Sequence, residues 1–136
     1  RMIEFDTKID GAFVNTQRAD GMIVSTPTGS TAYSLSAGGP ILHPSLNAVT
    51  MVPICPPTLS HRPIVVSAES EIEILLCESR DVDSRVSFDG QANLDLKAGD
   101  KIVIRQHSNK LRLIHPEGYD YYHILRSKLG WSATPP

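Results

Sequence analysis

Short stretches in which apolar and polar residues alternate run through most of the chain, and they predict strands. Residues 1–5, Arg1-Met2-Ile3-Glu4-Phe5, alternate from the outset and read as a strand entered midway, so a preceding domain is expected to be missing. Over residues 12–17, Ala12, Val14 and Thr16 alternate with Phe13, Asn15 and Gln17, a period of two with β-formers on both faces. Asp20-Gly21 supplies a turn, and Met22-Ile23-Val24-Ser25 continues as a short buried strand. Ile72, Ile74 and Leu76 share one face, with Glu71 and Glu73 on the other, as in a half-buried strand. Residues 85–88 and 91–94 flank Asp89-Gly90, which accepts the positive φ angles of a type I′ turn, so a hairpin is expected there. A second hairpin is expected from residues 101–107 and 111–115 around Ser108-Asn109.

Two short helices are expected between these strands. The first covers about residues 30–37 and stops at Gly38-Gly39-Pro40. The second covers about residues 119–129, with Tyr121, Ile124, Leu125 and Leu129 on one face. Asp120 lies at its positive end, Arg126 and Lys128 at its negative end, and Gly130 follows as the stop. Pro53, Pro56, Pro57 and Pro63 suggest an irregular crossing loop rather than a central strand. Many short strands separated by turns make the fold mainly β, a β-sandwich with two short helices.

Composition narrows the field. The 136 residues suffice for one domain with its own core, and hydrophobic and charged shares of 40% and 21% are ordinary for a globular protein. A net charge of −2 gives no electrostatic case for nucleic acid or an anionic membrane as partner. No apolar run approaches the roughly 20 residues of a membrane span, and the first residues lack a signal-peptide pattern. Cys55 and Cys77 form no CxxC and read as small buried thiols in a reducing cytoplasm. His43, His61, His107, His115 and His123 are scattered without zinc-ligand spacing, so no metal site is expected in this chain.

The segment from Asp20 to Pro40 carries the chemistry. It runs from a buried strand through Thr26-Pro27-Thr28-Gly29-Ser30 straight into a helix. Free N–H groups at such a junction, with small hydroxyl residues around them, suit phosphate or ribose oxygens. Tyr33 adds a flat face, and Asp20 a carboxylate that can accept from ribose hydroxyls or an amide. Equally, a Ser/Thr cluster before a helix can be no more than an N-cap. Three familiar alternatives fail on spacing: no Gly-Lys-Ser/Thr follows for a P-loop, no GxSxG is present, and no SxxK occurs in the segment.

The run Ser25-Thr26-Pro27-Thr28-Gly29-Ser30-Thr31-Ala32-Tyr33-Ser34-Leu35-Ser36-Ala37-Gly38-Gly39-Pro40, preceded by Asp20-Gly21, resembles the signature of the NAD kinases. The similarity continues through Pro53-Ile54-Cys55-Pro56, Leu59-Ser60, Arg62-Pro63 and Phe88-Asp89-Gly90-Gln91. It then reaches Leu113-Ile114-His115-Pro116 and Lys128-Leu129-Gly130-Trp131, and so covers essentially the whole chain. It implies that residues 1–136 are the C-terminal, NAD-binding β-sandwich domain of a bacterial-type enzyme. The α/β domain with the Gly-Gly-Asp-Gly catalytic aspartate and the Asn-Glu pair would lie elsewhere. The Gly-Gly of this chain, Gly38-Gly39, is followed by Pro40.

By the same resemblance, the parent would phosphorylate the 2′-hydroxyl of the adenosine ribose of NAD with ATP, with Mg²⁺ or another divalent metal, to give NADP. The chain alone would be inactive, for want of a base in line with the γ-phosphate. Thr31, Ala32, Tyr33, Ser34, Leu35 and Ser36 would line the NAD pocket, with Tyr33 packed on the dinucleotide. Asp20 would hold the nicotinamide or its ribose side, with Arg18 near the phosphates. Cys55 would approach adenine through its backbone, and Gln91 and Arg1 would be further contacts. Pro57 stands where many bacterial relatives have histidine, a departure from the pattern. Family members oligomerise through this domain, so a cytoplasmic homo-oligomer, dimer or tetramer, is implied. The alternatives are a non-catalytic oligomerisation or ligand-sensing module and a lipid-kinase-like domain.

Overall fold

A computed structural model describes residues 2–77 and 83–132. The chain divides into two units, residues 1–106 and 107–136. Among the described residues the first holds nine strands: β1 (Ile3–Ile9), β2 (Ala12–Ala19), β3 (Gly21–Ser25), β4 (Ala48–Ile54), β5 (Ile64–Ser67), β6 (Ile72–Leu76), β7 (Ser84–Phe88), β8 (Ala92–Leu96) and β9 (Lys101–Ile104). All pairings are antiparallel, in a four-stranded sheet β2-β1-β6-β9, a three-stranded sheet β3-β4-β5 and the β7–β8 hairpin. The two larger sheets meet through Phe5, Ala19, Ile72 and Ile74 from one and Met51 from the other, flanked by Ile3, Ile9, Met22, Val24, Val49, Val66, Ile102 and Ile104. The fold is thus mainly β and a sandwich, with two short α-helices, as expected.

The local signals explain most of these elements. Ile72, Ile74 and Leu76 point inward while Leu75 is exposed, which is the half-buried alternation expected of β6. Asp89 and Gly90 have φ of 53° and 67°, and Gln91 N–H closes the turn on Phe88 O at 2.9 Å. A further type I′ turn lies at Asp10-Gly11, with φ of 50° and 79°, and joins β1 to β2. In β2 the register shifts between Thr7 and Lys8 of its partner, so Val14 is an extra residue. This bulge breaks the simple alternation, and beyond it Gln17 and Ala19 face the core.

The turn expected at Asp20-Gly21 is a bend at Asp20, where the chain leaves one sheet for the other, and Gly21 already belongs to β3 and pairs with Ile54. Other expectations change. The proline-rich middle contains β4, the centre of the three-stranded sheet, with Thr50, Met51, Val52 and Pro53 buried in succession. Pro53 is tolerated because β5 pairs with β4 only over Ala48–Met51, so Pro53 has one ladder neighbour, Met22. Residues 111–115 form no strand; β9 ends at Ile104 and pairs with β6, completing the four-stranded sheet instead of a hairpin. Cys55 is exposed rather than buried, and Cys77 is intermediate.

In the second unit, α2 (Tyr121–Leu129) starts where the Asp120 carboxylate accepts from Tyr122 N–H at 3.0 Å and His123 N–H at 3.2 Å. It ends at Gly130, left-handed at φ 69°, with Trp131 N–H on Arg126 O. Leu125 is buried, whereas Ile124, expected on the same face, is exposed.

Because Phe5 is fully enclosed at the centre of the sandwich, Phe5→Ala is expected to lower stability by about 3–5 kcal/mol. Urea denaturation of wild type and variant measures it.

Candidate functional site

The conspicuous segment is folded onto the back of β4. That strand is covered on both faces, so Val52, on the side away from Met51, needs a lid. Gly39 meets Val52 there, in a segment that also buries Ser30, Ser34 and Leu42. The fit is close: a Cβ on Gly39 would stand 2.5 Å from Ser34 Oγ, 2.7 Å from Val52 Cγ2 and 2.8 Å from Ser34 O. Only glycine lets the chain turn back at this distance. Ser30 locks the other end, donating to Pro27 O at 2.5 Å and accepting from Leu42 N–H at 3.0 Å.

The expected continuous helix over residues 30–37 is broken. A 3₁₀ turn, Thr28–Thr31, is followed by Ala32 at φ −105°, ψ −125°, and then by one α-turn, α1 (Tyr33–Ser36). Neither element has a side-chain cap. Ser30 Oγ is engaged by Pro27 O and Leu42 N–H, and beyond the break at Ala32 the Ser34 side chain is buried beside Gly39. A four-residue α-turn has no useful macrodipole. The continuous helix expected to seat an anion at its N-terminus is not formed.

The break sorts the candidate residues. Ala32, Tyr33 and Ser36 are exposed, Thr31 and Leu35 half-buried, and Ser34 enclosed at 1% exposure. The Ser34 hydroxyl thus faces the interior, not solvent. Tyr33 is 72% exposed, with its ring beside the β7–β8 turn: a Cβ on Gly90 would lie 3.3 Å from Tyr33 Oη. Gln91, the next residue, is exposed on that turn. Asp20 and Cys55 form a second pair, because Asp20 N–H donates to Ile54 O at 2.9 Å and Cys55 follows directly, exposed, at φ 47°. α1 packs on β3, the strand that begins just after Asp20.

Arg18 is exposed on β2 opposite Glu4, in register, on the face away from the core. Arg1 lies outside the described residues. Among the described residues no group of three His, Cys, Asp or Glu side chains could hold a metal, and no helix is long and apolar enough to cross a membrane.

Two participants escaped the sequence pattern. Gly90 announced a turn, but nothing local said that Tyr33 would rest against it. Gly39 looked like a helix stop, whereas its role is close packing under Ser34. Cys77 differs from Cys55 in chemistry as well as exposure. Burial, then the carboxylates of Asp6 and Glu4, push its thiol above the ordinary cysteine value.

The model of the ATP-NAD kinase C-terminal domain matches residues 1–116. The chain is 58% identical over 130 residues to the NAD kinase of Chromobacterium violaceum, covering 96% of the chain and 44% of that protein. It is 56% identical over 133 residues to the NAD kinase of Aeromonas salmonicida, covering 97% and 45%. Among solved structures, yeast NADH kinase complexed with NADH superposes with a TM-score of 0.85 at 34% identity, over 99% of this chain and 42% of that one. An NAD kinase from Archaeoglobus fulgidus in complex with ATP gives 0.71 at 37% identity, over 79% and 41%. The chain thus spans under half the length of the relatives it matches.

Gly39→Ala is expected to cost about 1–3 kcal/mol or more, because the new methyl meets backbone and β4 and has no room to move. Denaturant melts measure it. A maleimide at neutral pH is expected to label Cys55 several-fold faster than Cys77, because the raised Cys77 pKa depletes its reactive thiolate. Peptide mapping of a time course reads both sites.

Proposed function

The chain belongs to the ATP-NAD kinase C-terminal domain family, and from that premise we propose that it supplies the dinucleotide-binding surface of an enzyme that phosphorylates NAD with ATP. The γ-phosphoryl group of ATP passes to the 2′-hydroxyl of the adenosine ribose, giving NADP and ADP. One observation carries the placement: the break at Ala32 leaves Ala32, Tyr33 and Ser36 on an exposed face, with the Tyr33 ring beside the turn that bears Gln91. A large, mostly exposed aromatic next to amide and hydroxyl groups suits a flat heterocycle joined to a polar ribose.

Within this reading each residue has a task. Tyr33 stacks on the dinucleotide, Ala32 leaves room for it, and Thr31 and Ser36 offer hydroxyls to its edge. Asp20 accepts hydrogen bonds on the nicotinamide side, and the backbone around Cys55 faces the adenine. Arg18 lies near the phosphates, and Gln91 contacts the ligand from the hairpin turn. Leu35 shapes the pocket wall, and Ser34 contributes from beneath by holding the turn. Arg1 is a further contact to phosphate.

These 136 residues contain no Gly-Gly-Asp-Gly, so the base that deprotonates the ribose hydroxyl belongs to the rest of the parent. Mg²⁺ would enter with ATP and neutralise charge on the transferred group. The chain alone is accordingly inactive, and the parent acts in the cytoplasm as a homo-oligomer.

In the full-length protein Asp20→Asn and Tyr33→Ala are expected to impair NAD use more than ATP use. A charge-assisted bond to a ligand is worth about 1.5–3 kcal/mol, roughly ten- to a hundredfold in affinity. Stacking on an aromatic is worth about 1–3 kcal/mol. Steady-state kinetics with each substrate varied in turn should show the NAD KM raised at least several-fold and the ATP KM little changed. A well-folded Asp20→Asn enzyme with unaltered NAD KM and kcat would remove Asp20 from the site.

A further inference from the structure

Residues 105–120 are exposed throughout, although residues 111–114 read Leu-Arg-Leu-Ile. Leu111 is 87% exposed, Leu113 58% and Ile114 95%. Among the described residues, the backbone groups of residues 111–115 form no hydrogen bond and no strand pairs with them. Single apolar side chains at a surface are ordinary, but three in four consecutive positions beside an unpaired backbone are not.

The local chemistry is that of a strand. Extended, the segment would set Leu111 and Leu113 on one face and Arg112 and Ile114 on the other. Apolar residues on both faces mark a strand that is covered on both sides. Pro116 keeps His115 out of the helical region, which favours an extended end. A fixed turn follows: Tyr119 N–H donates to Pro116 O at 3.2 Å, and the His115 and Tyr119 rings stack with centroids 3.8 Å apart. Then comes α2, which leaves Tyr122 and Ile124 half-exposed. The order is that of a strand, a turn and a helix, without the sheet that would hold them.

The comparisons point to where that sheet lies. The family match runs to residue 116, so the segment belongs to the shared fold and is no appended tail. The relatives are more than twice as long as the part matched here, which covers 44% and 45% of them. A parent of that length carries the larger share of its residues outside this chain, at high effective concentration in every molecule. A second copy of the exposed segment would offer an edge to pair with but no cover for the two faces.

We propose that residues 111–115 join, as an added strand, a sheet edge in the part of the parent outside these 136 residues, with α2 packed over the same sheet. Residues 111–129 thereby clasp that part of the parent. The inference rests on the parent being as long as its relatives and is independent of where NAD binds.

Amide hydrogen exchange and a crystal structure, both of the full-length parent, test it. Exchange resolved to residues 111–115 is expected to be slower by roughly a hundredfold or more than in an unstructured peptide of the same sequence. The crystal structure is expected to show their backbone hydrogen-bonded to a strand from outside residues 1–136. Exchange at the peptide rate overturns the proposal. So does a structure in which the segment pairs with a strand of residues 1–106, with a second copy of the chain, or with nothing.

Discussion

The contact of Gly39 with Ser34 and Val52 is the constraint on which the exposed site depends. β4 is buried on both faces, so its outer side must be roofed, and the roof must lie close enough to exclude water. Gly39 meets Val52 directly, in a segment that also buries Ser30, Ser34 and Leu42. What faces solvent above them is then fixed by elimination. A turn that buries Ser34 must present Tyr33 and Ser36 outward, just beyond the break at Ala32.

The segment is not a helix of ordinary length: a 3₁₀ turn, a break at Ala32 and a single α-turn run between buried Ser30 and buried Ser34. The candidate surface offers a ring, hydroxyls, an amide and a carboxylate. These groups come from separate parts of the chain: residues 31–36, Asp20 beside Cys55, and the β7–β8 turn.

Much of this was legible in the sequence, and what was not has physical reasons. Alternation in Ile72-Glu73-Ile74 and the Asp89-Gly90 pair marked β6 and the β7–β8 hairpin, because both signals are local. β4 was hidden because a strand buried on both faces does not alternate, and because Pro53 argues against a central strand until the short reach of β5 is known. The exposed residues at 111–115 alternate like a strand yet pair with nothing in that segment, and β9 found its partner far away in β6. Within the candidate site, residue types and spacing nominated Tyr33 and Asp20. The burial of Ser34 and the seat of Tyr33 on Gly90 depend on tertiary packing, which no local pattern encodes.

The central claim is that the dinucleotide lies on the exposed side of residues 32–36. A crystal structure of the full-length parent with NAD tests it most directly. The account predicts ligand density packed on the Tyr33 ring, within hydrogen-bonding reach of the Asp20 carboxylate, with the β7–β8 turn alongside. Density elsewhere, with Tyr33 and Asp20 still solvated, would contradict it.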